Sequence, residues 1–259
     1  MLLKDKVAVV TGGGRGIGLA IALAYAREGA RLVLAARGVE GLEGTRRAVA
    51  DLGGEALVVP TDISDIESVS ALAQQVHAHF GCVDILVNNS GVAGPTAPLW
   101  EITPDEWDAT FAVNLRGTFL CCRAFLPVMI AQSSGSIILI GSMTGKRPLL
   151  GRTPYSASKL ALVGLARTLA WETGPYGIRV NVISPGPVEG ERIEMVIRKQ
   201  AEVKDISIDE ARQAFLRDSP LGRLVPAQDV AAAAVFLASD RASSITGEDL
   251  NVSAGITMY

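Results

Sequence analysis

Ser142, Tyr155 and Lys159 are the residues of this chain whose types and spacing suggest chemistry. Tyr155 and Lys159 stand four apart, so a helix would place the phenol and the amine on one face, a turn from each other. A free tyrosine is a poor base because its pKa lies at about 10. A neighbouring ammonium favours the phenolate and brings the group toward useful acid–base work. Ser142 adds an upstream hydroxyl to the same proton-transfer site. The alternative for such a pair taken alone is a packed tyrosine and a solvated lysine, so the elements that position it must decide.

Those elements alternate along the chain. Apolar runs at Lys6–Thr11, Arg31–Ala35, Ala56–Pro60, Val83–Val87, Ser136–Ile140 and Ile178–Ile183 predict strands, with Asp249–Val252 as a seventh. Helical patterns lie between them at 19–28, stopped by Gly29, at 41–52, stopped by Gly53-Gly54, and at 64–80 and 104–131. Another helix begins with the Tyr155–Lys159 face and runs to Thr173. In 64–80 the apolar Ile66, Val69, Leu72, Val76 and Phe80 recur at helical spacing, with Ser64 as the predicted cap and Glu67 three residues on. Pro127 must start, kink or relieve a turn. Strands that barely alternate, joined by helices, predict a parallel sheet covered on both faces. Residues 1–259, with no linker or internal repeat, are expected to form a single α/β domain, a doubly wound Rossmann-type sheet of seven parallel strands with helices on both faces. Residues 187–221 are longer than a connection needs. They leave the end of the sixth strand and are predicted to cover a ligand cleft, with a solvated excursion as the alternative.

Composition narrows the function classes. A formal charge of −3 with no Arg/Lys block argues against a general nucleic-acid binder. The opening MLLKDKVAVVTGGG has an apolar run broken by glycines, unlike a cleavable signal, and no stretch offers the roughly 20 apolar residues of a spanning helix. A cytoplasmic protein without membrane contact is expected. Cys121 and Cys122 adjoin in a helical pattern and suit buried packing; with Cys82 they make no disulfide framework. His77 and His79 read as surface residues, and no metal site is expected.

Strand, glycine turn and helix follow one another from Val7 to Glu28, the context of a phosphate-binding turn. Gly12, Gly16 and Gly18 leave room for the backbone to turn and for a diphosphate to approach the helix N-terminus, beside Ile17. The spacing T-G-x-x-x-G-x-G differs from G-x-G-x-x-G, and no Lys-Ser/Thr follows as in nucleotide triphosphatases. After the second strand, an acidic residue would hold a ribose 2′-hydroxyl and repel a 2′-phosphate. The chain instead has Ala36-Arg37, and Arg37 with Arg15 offers guanidinium contacts to a phosphate, so NADP(H) is expected in preference to NAD(H). Two solvated surface arginines are the alternative. Asp62 is placed for an adenine-edge contact or for capping the next helix.

Taken in order, these segments resemble the short-chain dehydrogenase/reductase family over essentially all 259 residues. Thr11-Gly12-x-x-x-Gly16-x-Gly18 resembles its cofactor loop, and Asn88-Asn-Ser-Gly91 its N-N-A-G element, with Ser90 in place of alanine. Asn114-Leu-Arg-Gly117 is similar to the segment carrying its active-site asparagine, Ser142 and Tyr155-x-x-x-Lys159 to its serine and Y-x-x-x-K pair, and Pro185-Gly186-Pro187-Val188 to its turn after the sixth strand. The resemblance implies a carbonyl–secondary alcohol oxidoreductase with Asn114, Ser142, Tyr155 and Lys159 as its catalytic set. In that frame Lys159 also holds the nicotinamide ribose and Asn114 positions a water that links Lys159 to bulk. Cofactor contacts are then expected at Thr11, Gly12, Arg15, Gly16, Ile17, Gly18, Arg37, Asp62, Ile63, Asn89, Gly91, Tyr155, Lys159, Pro185, Gly186 and Val188.

Two positions depart from the family pattern. Gly190 stands where P-G-x-x-x-T has threonine, which leaves Ser184, Glu191 or backbone amides to replace its contact, and Asn251-Val-Ser-Ala-Gly255 stands for N-V-D-G-G. Gly94, Pro95, Leu99 and Trp100, facing Met143, Thr144, Leu149 and Leu150, suggest apolar pocket walls. The cover adds Glu191, Arg192, Met195, Ile197, Arg198 and Lys199, a mixture suited to a small ketone with a polar or acidic tail. The expected activities include 3-oxoacyl-carrier-protein reduction. NAD-dependent alcohol or sugar oxidation is an alternative, as is a cofactor-bound structural or regulatory protein with little turnover. By resemblance, helices near 106–130 and 156–173 pair between subunits, so a homotetramer is expected, with a dimer as the alternative.

Overall fold

Seven apolar runs become seven parallel strands because helices on both sides leave no solvent-facing sheet surface to favour alternation. A computed structural model describes residues 1–259 and places β1 Val7–Thr11, β2 Arg31–Ala36, β3 Ala56–Pro60, β4 Ile85–Asn88, β5 Gly135–Ile140, β6 Ile178–Pro185 and β7 Asp249–Val252. Their order is β3-β2-β1-β4-β5-β6-β7, and every pair is parallel. Two cores of 25 and 24 buried residues, nearly equal in size, establish the doubly wound architecture. One contains Val9, Val33, Leu86 and Ile137, and the other contains the alternate residues Ala8, Leu32, Ile85 and Ile138.

The register positions the site. Val10 lies opposite Leu34 and Val87, Asn88 opposite Leu139, and Ile140 opposite Ile183. Thr11, Ala36, Asn88, Ile140 and Pro185 therefore all end at one edge of the sheet. Between β1 and β4 the strand order changes direction, which opens a crevice at that edge.

The helices are α1 Gly16–Arg27, α2 Val39–Asp51, α3 Ile66–Phe80, α4 Pro104–Phe111, α5 Thr118–Gln132, α6 Thr153–Thr173, α7 Glu191–Lys204, α8 Ile208–Arg217 and α9 Ala227–Ala238. The predicted cap of α3 is corrected. Asp65, not Ser64, accepts from the Glu67 amide at 3.1 Å, while the Ser64 hydroxyl donates to Asp62 at 2.6 Å. The expected helix at 104–131 is continuous but contains a π turn at Ala112–Gly117, and Pro127 lies inside α5. Residues 104–132 are also long and apolar enough to cross a membrane by length and composition, contrary to the expectation that no such stretch exists. Leu120, Cys121, Cys122, Phe125 and Met129 account for that apolarity, because they face the domain core. The sequence reading passes over α9, which packs against α1; there the buried Tyr25 hydroxyl donates to the Ala234 carbonyl at 3.1 Å.

Residues 187–221 carry α7 and α8, with a small core of their own formed by Ile193, Ile197, Ala201 and Ala211. Gln200 donates to the Leu150 carbonyl at 2.8 Å and Arg147 pairs with Asp218 at 2.9 Å, so this unit is fastened to the loop after β5. The same loop is tied to the far strand by Lys146, whose ammonium lies 2.8 Å from the Asp249 carboxylate, with the two side chains only 10% and 8% exposed. Lys146→Met would leave that carboxylate buried with only the Ser184 hydroxyl and should cost about 3–5 kcal/mol. Equilibrium urea unfolding checks this, and a loss below about 1 kcal/mol would show the pair to be dispensable.

Candidate active site

The glycine turn after β1 is shaped by close approaches. A Cβ on Gly18 would lie 2.1 Å from the Gly12 carbonyl oxygen, and Gly12 itself has φ of 67°. Arg15 caps α1 without a side-chain hydrogen bond and no acidic residue occupies the first turn. Amides at that helix start are therefore available to an anion. Gly16 is exposed, with nothing within 4 Å of where its Cβ would be. This cradle fits a dinucleotide diphosphate.

The Asn-Asn-Ser-Gly91 loop braces the turn. Thr11 is buried; its Oγ1 donates to the Val87 carbonyl at 3.3 Å and accepts from the Asn89 and Ser90 amides, both at 3.0 Å. The Asn89 carboxamide donates to the carbonyls of Thr11 at 2.9 Å and Gly12 at 3.2 Å. Thr11 and Asn89 thus hold the cradle together rather than presenting free side chains. Ile63 is buried against the π turn, where a Cβ on Gly117 would lie 2.6 Å from its Cδ1.

At the ends of β4 and β5 the proposed proton-transfer residues converge. Lys159 is 4% exposed and its ammonium donates to the Ile140 carbonyl at 2.7 Å. A Cβ on Gly91 would lie 3.1 Å from Asn114 Oδ1 and 3.3 Å from Lys159 Nζ, which brings these three residues together. Asn114 is fully buried: its Oδ1 accepts from the Val92 amide at 2.8 Å, and its Nδ2 donates to the Val92 carbonyl at 3.1 Å and to Ser158 Oγ at 3.0 Å. Ser158 in turn donates to the Tyr155 carbonyl at 2.9 Å. Ser142 is held by Thr144, accepting from its amide at 3.2 Å and donating to its hydroxyl at 3.1 Å.

The electrostatics favour an ionisable phenol. Burial pushes the Tyr155 phenol up, but the Arg192 and Lys159 charges, hydrogen bonding with Ser142 and the Arg152 charge outweigh it, leaving the group below its ordinary value. Burial pulls the Lys159 ammonium down to about 8, against the opposing pull of Tyr155. Tyr155 is therefore better suited than a free tyrosine to give up a proton and take it back.

Arg37 follows β2 and is 72% exposed; its nearest charged partner is Asp62, at 3.9 Å. Asp62 accepts from the Ser64 amide at 2.9 Å, and this serine holds its carboxyl below the usual range. Gly186 packs so tightly on β7 that a Cβ would meet Ser253 Cα at 2.8 Å. Val188 bridges in parallel to Val225. Gly190 has φ of 126°, a region that a threonine rarely adopts, so the departure from the family pattern has a backbone cause. Ser184 is not free to replace that threonine, because its hydroxyl donates to Asp249 at 2.6 Å. The sequence reading misses Arg152, whose guanidinium carbon lies 4.8 Å from the centre of the Tyr155 ring. Its place one turn before Tyr155 is the signal that could have found it.

Comparison with known proteins finds relatives along almost the whole chain. Residues 12–257 match the family model described as enoyl-(acyl carrier protein) reductase. The chain is 41% identical over 260 residues to D-threitol dehydrogenase of Mycolicibacterium smegmatis, covering 99% of this chain and 94% of that protein. It is 36% identical to the 3-oxoacyl-[acyl-carrier-protein] reductase FabG of Salmonella typhimurium, with both chains covered completely. It superposes on NAD+-bound xylitol dehydrogenase with a TM-score of 0.96 and 32% identity, covering 98% of this chain and 100% of the other.

Lys159→Met removes one of the cations that lower the phenol. In the alcohol-oxidation direction the phenolate accepts the proton, so the rate rises with pH through the apparent pKa of the site. The variant should shift that limb to higher pH and slow turnover about 100-fold or more. A pH–rate profile measures both, and an unshifted limb would remove Lys159 from the proton-transfer site.

Proposed function

Because the chain belongs to the short-chain dehydrogenase/reductase family, and its relatives include a threitol dehydrogenase and a 3-oxoacyl reductase, we propose that it is an NADP(H)-preferring oxidoreductase acting on a secondary alcohol and its ketone. The observation that carries this reading is the buried Lys159 ammonium beside a Tyr155 phenol of lowered pKa, at the same sheet edge as the glycine cradle. When bound, the nicotinamide supplies or accepts the hydride. Tyr155 donates its phenolic proton to the carbonyl oxygen in reduction and removes the hydroxyl proton in oxidation. Ser142, held by Thr144, hydrogen-bonds the same oxygen and orients it. Lys159 keeps the phenol acidic and would hold the nicotinamide ribose when the cofactor is bound. The Asn114 carboxamide is engaged by Val92 and Ser158, so it acts by position. Its main-chain carbonyl lies in the π turn and accepts from the Thr118 hydroxyl at 3.1 Å, and a water held near it would link Lys159 to bulk. Amides of the α1 start would take the diphosphate, with the main chain of Pro185–Val188 along the nicotinamide half and α7–α8 over the cleft.

Arg37 carries the cofactor preference, with Arg15 as the second cation. It has one distant ionic partner and the exposure to turn toward a ribose 2′-phosphate. Asp62 beside it, and the NAD+ bound by the xylitol dehydrogenase neighbour, favour a second reading, an NAD-dependent alcohol or sugar dehydrogenase. A cofactor-binding protein with little turnover is the third. Exposed Phe119 on α5 and Leu160 and Trp171 on α6 support assembly through these helices into a homotetramer.

A ketone panel with NADPH and NADH tests the reading. Turnover with NADPH should exceed that with NADH, and Arg37→Ala should raise the KM for NADPH about 10- to 100-fold with a smaller effect on NADH. Tyr155→Phe should lower kcat about 100- to 10,000-fold while cofactor binding persists. Higher kcat/KM with NADH selects the second reading, and tight cofactor binding without turnover selects the third. Light scattering at assay concentration should give the mass of four chains; a monomer would contradict the assembly.

A further inference from the structure

Two arginines converge on the Tyr155 ring, and neither has a carboxylate partner. Arg152, just before α6, is only 4% exposed, although its guanidinium is a large and permanently charged group. Its Nη1 donates to Thr96 Oγ1 at 3.1 Å, and its Nε is buried with no acceptor. Arg192, in the first turn of α7, has its guanidinium carbon 5.7 Å from the centre of the same ring, compared with 4.8 Å for Arg152. None of the ion pairs in the chain involves either residue. Glu194, two residues after Arg192, is committed to Arg212. Glu191, beside Arg192 in sequence, is exposed and pairs with neither.

This arrangement is unfavourable for a protein left to itself. The buried Arg152 charge needs a partner, and the exposed Arg192 guanidinium on the same ring repels it. The ring face offsets part of the cost through cation–π attraction, but it cannot satisfy a buried N–H donor. Gln200 of α7, almost completely buried, also leaves its Oε1 without a partner while its Nε2 fastens the cover to the Leu150 carbonyl. The cover is therefore held in the position that brings Arg192 to Arg152. Two guanidinium groups with open donor sites are suited to bidentate contact with a carboxylate or phosphate.

We propose that Arg152 and Arg192 clamp an anionic tail of the substrate, so that this enzyme acts on ketones or alcohols that carry a carboxylate or phosphate group. The assignment rests on the oxidoreductase reading and specifies its substrate class. The two anions are separated by experiment: 3-oxobutanoate, 4-oxopentanoate and 5-oxohexanoate are each compared with their methyl esters, and dihydroxyacetone phosphate with dihydroxyacetone.

For the anion the site takes, kcat/KM should exceed that of its neutral counterpart about 100-fold. Arg152→Gln should cut that ratio to below about 10, mainly through the KM of the anion, and Arg192→Gln should lower it in the same direction. A neutral counterpart turned over as well as the anion would overturn the clamp. So would Arg152→Gln and Arg192→Gln variants that slow both substrates equally, since these arginines would then serve only the phenol. If no ketone is turned over with either cofactor, the oxidoreductase reading fails on its own. Calorimetric titration of the cofactor-loaded protein with pentanoate and with inorganic phosphate then decides the clamp. Binding weakened by Arg152→Gln supports it, and no binding of either anion removes it.

Discussion

A lysine ammonium held almost wholly out of solvent is the constraint around which the rest of this site is arranged. Burial lowers the Lys159 ammonium, an ionised Tyr155 phenol raises it again, and the Ile140 carbonyl accepts a hydrogen bond from it. Burial likewise raises the tyrosine, and the opposite charges of the pair offset part of both costs. A parallel sheet supplies the place for this, because its strand ends direct loops and helix starts into one crevice away from bulk water.

Holding the pair in that crevice requires the backbone to come close. A Cβ at Gly91 would come within 3.1 Å of Asn114 Oδ1 and 3.3 Å of Lys159 Nζ, so a side chain there would crowd both. Asn114 itself sits in the π turn, buried beside Gly91 and Lys159. The Asn114 carboxamide then bonds the Gly91 loop, through Val92, to α6, through Ser158. Thr11 and Asn89 do the same for the glycine cradle, so the cofactor end and the chemical end share one braced loop.

Charge around the phenol is one-sided. Lys159, Arg152 and Arg192 all favour the phenolate, and no carboxylate among the ion pairs of the chain offsets the two arginines. Proton transfer and substrate recognition therefore draw on the same field: a cation that holds an anionic tail also acidifies the phenol beside it.

Much of this was legible in the sequence for identifiable reasons. The strands read correctly because residues such as Val7–Val10 and Leu32–Ala35, buried on both faces, are continuously apolar. Tyr155 and Lys159 were legible as a pair on one helix, α6, because a spacing of four puts two residues on one face. The glycine turn was legible because Gly12 and Gly18 are required by local geometry. Where contacts came from distant segments, the sequence was silent or misleading. Asp65 displaced Ser64 as a cap because Asp62 captured the serine. Ser184 was removed from the cofactor side by Asp249, a partner 65 positions away. Arg152 was missed because its partners are Thr96 on a distant loop and the Tyr155 ring that it shares with Arg192 of α7. The sequence by itself determined the elements, their order and the residue types able to do the chemistry, because periodicity and turn geometry are local. Only the tertiary structure decided which of those side chains are engaged, which remain open and what charge they face, because burial and pairing depend on segments that the chain brings together from afar.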